Sequence, residues 1–291
     1  MNNFFINLNK KGGVTSQSAV THLKYILKDK GFAVGRIGHL GTLDPLGEGV
    51  LPVAIDNANR LFPYFIEKRK VYYTIFEFGK ETDTLDGSGV VTATSDAVVS
   101  KEDIERVLPK MLGEIEQMPP QYSRKSVGGV RAYELARRGE VAELTPKKVL
   151  IENIEVLEEL GGNAFSLRVT CGGGTYIRSL VRDIAYALDT VGLMRYIKRE
   201  QSGSFFIENS FTEEGIRAKS LEEFLVPVES IVSANFPRYD CPLTAEKLVL
   251  NGVPLKLAAQ PDGDCAFFVQ NELKGIASKD ADGGISIKTR F

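Results

Sequence analysis

Residues 35–53 read Gly-Arg-Ile-Gly-His-Leu-Gly-Thr-Leu-Asp-Pro-Leu-Gly-Glu-Gly-Val-Leu-Pro-Val, and this stretch decides how the rest of the chain is interpreted. Its five glycines and two prolines favour a loop over a helix or a strand interior. Asp44 lies near its centre, and Pro45 biases Asp44 away from the helical region. The apolar run 50–55 that follows predicts a buried strand that anchors the loop. Two interpretations stay open: a functional loop that presents Asp44, or a turn into a core strand in which Asp44 is only a turn residue.

The composition is that of an ordinary globular protein, and it limits the possible functions. The chain has 291 residues, of which 43% are hydrophobic and 25% are charged, and its net charge is −2. Such a charge gives no overall attraction to nucleic acid or to an anionic membrane, so an RNA-binding function has to depend on local patches. No apolar run reaches membrane-spanning length, and the N-terminus lacks the features of a signal peptide. We therefore expect a cytoplasmic protein.

The cysteines and histidines argue against a disulfide framework and against a metal site. Cys171, Cys241 and Cys265 are odd in number, and no two of them have Cys-x-x-Cys spacing. Reduced thiols are the simplest interpretation. Because His22 and His39 are the only histidines, a histidine-rich metal site is not expected either.

Strand-like and helix-like segments alternate without forming a β-α-β array, which predicts a mixed α+β fold with a large antiparallel or mixed sheet. The chain divides into a unit at 1–232 and a final unit at 237–291, whose size and short strands fit a small β-barrel-like domain. The main predicted strands are 4–8, 50–55, 70–79, 149–157, 165–171, 266–269, 273–277 and 285–288, and the main predicted helices begin at Thr15 or Ser16, at Ser100 and at Thr175.

Asp44 is the first candidate for a catalytic group. A carboxylate can act as a nucleophile or as a general base if a fixed cation keeps it ionised. Arg178 is the best candidate for that cation, because it follows the glycine triplet 172–174 and its guanidinium can hold a carboxylate through two hydrogen bonds. Arg178 also lies near the start of a predicted helix, where a cation is unfavourable without a partner. The alternative interpretation is a surface arginine.

Tyrosines beside basic clusters suggest contact with RNA, because aromatic faces between cations suit stacked bases along a phosphate backbone. Each tyrosine can also be an ordinary residue at the edge of the core, beside a solvated basic face. The pairs are Tyr72 with 68–70, Tyr122 with Arg124 and Lys125, and Tyr176 with Arg178, and a fourth basic cluster consists of Arg195, Lys198 and Arg199.

The order of these features resembles that of the TruB-type tRNA pseudouridine-55 synthases. The stretch 38–53 resembles the catalytic motif of that family. Five further segments resemble its Gly-x-Thr-Ser, Lys-x-Tyr, Thr-Asp-Thr-x-Asp, Pro-Pro-x-Tyr-Ser and Gly-Thr-Tyr-Ile-Arg motifs, and they lie at 13–16, 70–72, 82–86, 119–123 and 174–178. Together the motifs cover residues 9–205 in the family's order, which makes the resemblance highly specific.

The resemblance implies a pseudouridine-synthase domain with a mixed sheet, followed at 237–291 by a PUA-type RNA-binding domain. The implied reaction is the isomerisation of uridine to pseudouridine at position 55, in the T-loop of tRNA, and it needs no cofactor. We expect a monomer that binds the T-arm of tRNA and needs no obligatory protein partner. The resemblance of residues 237–291 to a PUA domain depends only on their number and on the turn Asn-Gly-Val-Pro-Leu at 251–255.

Residue by residue, the resemblance implies that Asp44 is the nucleophile and that Arg178 pairs with it. It implies that Tyr72 stacks on the target uracil and is a candidate for proton transfer. Three further residues are implied in substrate binding: His39 and Tyr176, which would hold the flipped nucleotide and the T-loop, and Ile197, which would make an apolar contact where the family usually has Leu.

The chain departs from the family pattern at a few positions. Lys11 replaces the Pro of a Lys-Pro pair, and Gly47-Glu48 replaces Ala-Thr. Ser126 stands where a Lys is usual, with Lys125 one position earlier. Two alternative functions stay open at this point: a non-catalytic protein that binds or folds RNA, and a related synthase that acts on ribosomal or guide-directed RNA.

Overall fold

The computed structural model describes residues 3–66, 68–123, 125–242, 263–279 and 283–291, together with residues 245, 247, 251 and 253. The helices in these ranges are α1 Ser16–Asp29, α2 Phe62–Ile66, α3 Lys101–Val107, α4 Ala132–Arg137, α5 Ile177–Ala187, α6 Glu213–Ala218, α7 Leu221–Phe224 and α8 Val228–Asn235. The strands are β1 Phe4–Lys10, β2 Ile37–His39, β3 Glu48–Ile55, β4 Lys70–Phe78, β5 Lys80–Thr82, β6 Val91–Thr94, β7 Gly113–Gln117, β8 Ser126–Val127, β9 Val130–Arg131, β10 Lys147–Gly161, β11 Ala164–Cys171, β12 Gly192–Ser202, β13 Phe205–Phe206, β14 Val226–Pro227, β15 Arg238–Asp240, β16 Cys265–Val269, β17 Glu272–Lys279 and β18 Ile285–Arg290.

A 10-stranded mixed sheet runs through the larger unit in the order β14-β1-β3-β12-β4-β11-β10-β7, with β2 beside β3 and β13 beside β12. Neighbouring strands pair antiparallel, except β12 and β3, which run parallel where Arg199 pairs with Gly49. The predicted α+β class with a mixed, largely antiparallel sheet is therefore confirmed. The parallel pair places β12 directly beside the stretch that contains Asp44.

The sheet has an apolar core on each of its two faces, because neighbouring side chains on a strand point to opposite faces. Along β3, Leu51, Val53 and Ile55 belong to the apolar cluster that includes α1 and α5, whereas Val50 and Ala54 belong to a second cluster on the other face. Each of these side chains is fully buried. The sheet that supports the Asp44 region is thus held between two cores.

The predicted helix starts agree with the structure where a cap fixes them. Thr15 is the N-cap of α1 and accepts a hydrogen bond from the main-chain nitrogen of Ser18 at 3.0 Å. Ser100 and Asp103 form the capping box at the start of α3. Helix α5, predicted to begin at Thr175, begins at Ile177, and its apolar residues Ile177, Leu180, Val181 and Ile184 are buried. Local capping and helical spacing were therefore sufficient to predict these helices.

Strand β12 is the main element that the sequence did not predict. Its centre carries Arg195, Lys198 and Arg199, which obscure the alternation of apolar and polar residues. Main-chain pairing with β4 on one side and β3 on the other makes it a central strand. Because Arg199 is fully buried, the prediction that it belongs to an exposed basic cluster is wrong. Strands β2 and β7 were also not predicted.

The C-terminal part forms a separate four-stranded sheet in the order β15-β16-β17-β18, a small β-rich domain. Phe268 and Ile276 share a buried apolar cluster with Phe5 and Phe65 of the larger unit. The hydroxyls of Tyr64 and Thr289 are 3.1 Å apart across the same junction. The predicted strands of this domain are confirmed, whereas the turn predicted at 251–255 lies largely outside the described residues.

Within the described ranges, every helix is too short or too polar to span a membrane.

Candidate active site

The Asp44 loop, residues 40–50, leads from β2 into the start of β3 and is anchored in the core. The hydroxyl of Ser16, at the start of α1, donates to the carbonyl of Leu43 at 2.7 Å and accepts from its main-chain nitrogen at 2.8 Å. The nitrogen of Gly47 donates to the carbonyl of Asp44 at 2.9 Å, which closes a turn around Asp44. This anchoring favours the interpretation of a loop that presents its carboxylate, rather than that of a simple surface turn.

Arg178, near the start of α5, contacts Asp44 as the sequence predicts. Its Nε donates to Oδ2 of Asp44 at 2.9 Å, and Nη2 lies 2.8 Å from the same oxygen. The Arg178 side chain is 7% exposed, whereas that of Asp44 is 41% exposed. A charge-assisted contact of this kind orients a carboxylate. Both contacts of Arg178 go to Oδ2 of Asp44.

Arg178 is itself held by the main chain and by a second carboxylate. Its Nη1 donates to the carbonyl of Thr84 at 2.9 Å, and its Nη2 donates to the carbonyl of Tyr122 at 3.1 Å. Oδ2 of Asp86 lies 3.8 Å from Nε. Asp86 is buried, and its Oδ1 accepts hydrogen bonds from Thr84 and Ser88. The guanidinium thus lies between a buried carboxylate and a half-exposed one.

Tyr72 lies on β4, directly opposite Arg199 of β12 in the strand register. Its side chain is buried, and burial raises the pKa of Tyr72 to about 12, with a smaller increase from the charge of Asp44. The phenol is therefore neutral near neutral pH. It can stack against a base or donate a hydrogen bond, but it is a poor proton acceptor.

Tyr176 occupies the N-cap position of α5, next to the Asp44–Arg178 pair. The side-chain amide of Gln117 fixes its main chain from both sides: Oε1 accepts from the nitrogen of Tyr176 at 2.8 Å, and Nε2 donates to its carbonyl at 3.1 Å. Burial raises the pKa of Tyr176, and the nearby Asp44 charge adds to that increase. The ring is thus placed within electrostatic range of Asp44.

The remaining predicted binding residues lie on strands that flank the loop. Ile197 of β12 is buried and belongs to the same apolar cluster as Tyr72. His39 is the last residue of β2 and pairs in register with Val53 of β3. The structure brings Asp44, Arg178, Tyr72 and Tyr176 together. The pairing of β2 with β3 fixes the position of His39 in the sheet, but it does not show a contact between His39 and Asp44.

Sequence reasoning missed several side chains that support the loop. Lys10 donates from Nζ to the carbonyls of Lys11, Val14 and Pro45 at 2.9, 2.7 and 3.2 Å. Burial lowers the pKa of Lys10 to about 8, although the charges of Glu48 and Asp44 raise it. Gln117 and Arg199 were missed as well. Their partners are main-chain groups, which leave no pattern in the sequence.

Two positions at which the sequence departs from the family pattern, Glu48 and Lys125, make hydrogen bonds in the structure. Glu48 accepts a hydrogen bond from the hydroxyl of Tyr196 at 2.9 Å, and this pair raises the pKa of Tyr196 beyond the effect of burial. Lys125 donates to the carbonyl and the hydroxyl of Thr145 at 2.6 and 2.9 Å, while Ser126 is exposed on β8. Neither change touches the Asp44–Arg178 contact.

Among the residues that the structure describes, no three His, Cys, Asp or Glu side chains are grouped so that they could hold a metal ion.

Comparison with known proteins gives a consistent set of relatives. The family described as TruB family pseudouridylate synthase (N terminal domain) matches residues 28–177. A tRNA pseudouridine synthase B of Rickettsia akari is 37% identical over 236 residues, which cover 80% of this chain and 79% of the relative. A protein of the same name from Synechocystis sp. is 38% identical over 265 residues, with 89% and 87% covered.

The fold comparison gives a similar structure in a larger assembly. A chain in the structure of an H/ACA ribonucleoprotein bound to a substrate RNA containing 2′-deoxyuridine superposes with a TM-score of 0.72. That chain is 23% identical, and the match covers 99% of this chain and 84% of the other. At this identity the similarity concerns the fold alone.

Proposed function

The chain belongs to the TruB family of pseudouridylate synthases, and we propose on that premise that it isomerises uridine to pseudouridine at position 55 in the T-loop of tRNA, with Asp44 as the nucleophile. The observation that carries the assignment of Asp44 is its contact with Arg178. A half-exposed carboxylate, held through one oxygen by a buried guanidinium, is oriented and keeps its second oxygen for the substrate.

The reaction breaks the bond between N1 of uracil and C1′ of the ribose, rotates the ring and joins C5 to C1′. C5 loses its proton to solvent and N1 takes up a proton, so the product is an isomer of the substrate. The ring itself accepts electrons, so the chemistry needs no cofactor. Asp44 has three possible points of action: attack on C1′, addition to C6, or removal of the 2′ proton. Arg178 serves each of them in the same way, because it holds the carboxylate in one orientation.

The target uridine has to leave its stack before it can reach Asp44, which costs roughly a few kcal/mol. Tyr72 supports the flipped base by stacking, since its ring is buried beside the loop and its phenol stays neutral. Ile197 adds an apolar contact from β12. His39 and Tyr176 hold the nucleotide and the T-loop.

The two predicted units have separate parts in this function. Residues 1–232 form the catalytic domain, and residues 237–291 form a PUA-like RNA-binding domain. Helix α8 ends at Asn235, in the interval between these ranges. The proposal includes action in the cytoplasm as a monomer without an obligatory protein partner, so the purified chain alone should be active.

The test is tritium release from a T-arm stem-loop that carries uridine labelled at C5 at position 55, incubated with the purified chain alone. We expect one tritium released per RNA and pseudouridine at that position. The matched control RNA has the label in another uridine of the same loop, and it should release none. If the chain binds the stem-loop but releases no tritium, it is an RNA-binding protein or it needs a partner, and the proposed function fails.

A further inference from the structure

We propose that Arg199 is a positioning residue for this isomerisation, because its buried guanidinium fixes the Asp44 loop against Tyr72. The inference rests on the proposed function and concerns a residue on the far side of the loop from Arg178.

Arg199 is the largest fully buried side chain in the described part of the molecule, with 0% exposure. Arginine is almost never fully buried without a paired charge. Yet the guanidinium of Arg199 has no carboxylate within salt-bridge distance among the described residues. It donates instead to three carbonyls: from Nε to Val50 at 2.7 Å, from Nη2 to Gly41 at 3.1 Å and from Nη1 to Thr42 at 3.3 Å.

These three acceptors lie on both sides of Asp44 in the chain. Gly41 and Thr42 precede Asp44 by three and two residues, and Val50 follows it at the start of β3. One planar group therefore ties the beginning of the loop to its end. The fork of an arginine can make these bonds at once because its donors lie in one plane.

The main chain of Arg199 contacts the same loop. Arg199 pairs with Gly49 in the parallel register of β12 and β3. Gly49 has a φ of +93°, and a Cβ at this position would overlap the carbonyl of Arg199. The close approach thus depends on glycine, and the loop cannot move relative to β12 without breaking side-chain and main-chain contacts together.

Arg199 also acts on the tyrosine that faces the substrate. Tyr72 is its direct partner in the antiparallel register of β12 and β4, and the two side chains are within hydrogen-bonding reach of each other. Burial raises the pKa of Tyr72, and the Arg199 charge opposes that increase. A single guanidinium therefore interacts with the loop that carries Asp44 and with the ring of Tyr72.

A purely structural role predicts different measurements from a positioning role. Taking a charge out of water costs several kcal/mol, so stability alone does not require an arginine at this place. A displacement of the nucleophile by about 1 Å can lower a catalytic rate by about 100-fold without affecting substrate binding. The rate of the chemical step is therefore the readout that separates the two roles.

The experiment compares wild type with Arg199→Lys and Arg199→Gln in single-turnover tritium release, with enzyme in saturating excess over the T-arm stem-loop, so that only folded protein contributes. Lysine keeps the charge but loses the planar fork, and glutamine keeps amide donors without a buried charge. We expect both rates to fall about 10- to 100-fold, while the dissociation constant for the stem-loop changes less than about twofold. Arg168→Lys is the matched control, since Arg168 on β11 is exposed and pairs with Glu200.

A wild-type rate in a folded Arg199 variant, even one with a lowered melting temperature, would overturn the proposal. So would a loss of RNA affinity that accounts for the whole decrease in rate, since Arg199 would then act on binding. If Arg199→Lys does not fold, Arg199→Gln decides by the same criteria. If the wild-type chain releases no tritium, the proposed function itself is refuted. If wild type and the Arg199 variants are equally active, only the role of Arg199 is refuted.

Discussion

The two sides of the Asp44 loop are held by two buried arginines, and both donate to main-chain carbonyls, but among the described residues only one of them contacts carboxylates. On the α5 side, Arg178 contacts the carboxylates of Asp44 and Asp86. On the β12 side, Arg199 contacts main-chain carbonyls of the loop and the side chain of Tyr72. The first arginine holds the proposed nucleophile, and the second holds the backbone that carries it.

This difference explains why the two residues respond differently to a change of side chain. The guanidinium of Arg178 compensates the charge of Asp44 directly, so its loss alters the electrostatics of the reacting atom. The guanidinium of Arg199 is compensated only by dipoles, so its loss alters distances. The following predictions test whether the two sides are separable in this way.

Among the residues that hold the Asp44 loop, the largest effect is expected for Arg178→Lys. Lysine keeps one positive charge but cannot contact Asp44, Thr84 and Tyr122 together as the guanidinium does. The single-turnover rate on the T-arm stem-loop should fall about 100- to 1,000-fold, equivalent to about 3–4 kcal/mol. The dissociation constant of the RNA, measured by filter binding, should stay within about twofold. A loss of binding with an unchanged chemical step would show that Arg178 contacts RNA instead.

On the other side of the loop, Gly49→Ala should lower stability. Gly49 combines a φ of +93° with an approach to the Arg199 carbonyl that leaves no room for a Cβ. We expect a loss of about 2–4 kcal/mol and a melting temperature about 5–10 °C lower. Gly13→Ala is the matched control, because Gly13 has a φ of +82° but open space around it. Equal losses in both variants would mean that the approach of Arg199 is unimportant.

A smaller effect is expected for Asp86→Asn. Asparagine keeps an oxygen that can accept the hydrogen bonds from Thr84 and Ser88, but it removes the negative charge 3.8 Å from Arg178. The single-turnover rate should fall about tenfold, equivalent to about 1.4 kcal/mol. A normal rate in this variant would show that Asp44 and the main-chain carbonyls of Thr84 and Tyr122 are sufficient to position the guanidinium of Arg178.

The smallest effect concerns the pH dependence of stability at Lys10, which supports the loop through Pro45. The pKa of Lys10 is lowered from 10.5 to about 8 by burial. Between these values the unfolded chain binds more protons than the folded one, so folding becomes more favourable as the pH rises. The free energy of unfolding of wild type, relative to Lys10→Met, should therefore increase from pH 8 to pH 10 in urea denaturation. A decrease in this free-energy difference over the same range would mean that the folded protein stabilises the charged ammonium of Lys10.

The sequence was sufficient to predict the Arg178 side and insufficient for the Arg199 side. A cation at the start of a helix needs a partner, and the motif order supplied Asp44, so that pair followed from local features and family resemblance. Arg199 lies in β12, whose burial depends on pairing with β3 and β4, more than a hundred residues away in the chain. Its acceptors are carbonyls, which every residue has. A buried arginine and an exposed one therefore look the same in the sequence.

The fold showed the same division between local and distant information. The capped helices α1 and α3 and the apolar strands β3 and β11 carry their own signals, and they were predicted. Strand β2 has only three residues, and Gly35 and Gly41 lie two residues before and after it. It forms because it pairs with β3. Elements that are stabilised by a distant partner, and not by their own pattern, were the ones missed.

The most direct test of the assignment of Asp44 is tritium release by Asp44→Asn, a variant with nearly the same shape that lacks the carboxylate. The T-arm stem-loop labelled at position 55 is used with saturating enzyme, and its dissociation constant is measured in parallel. Asp103→Asn, at the N-terminal cap of α3 and away from the Asp44 loop, controls for the loss of one negative charge. We predict that Asp44→Asn binds the RNA within about twofold of wild type and that its rate falls by at least about 1,000-fold, equivalent to about 4 kcal/mol. A rate equal to that of wild type would contradict the assignment of Asp44 as the nucleophile.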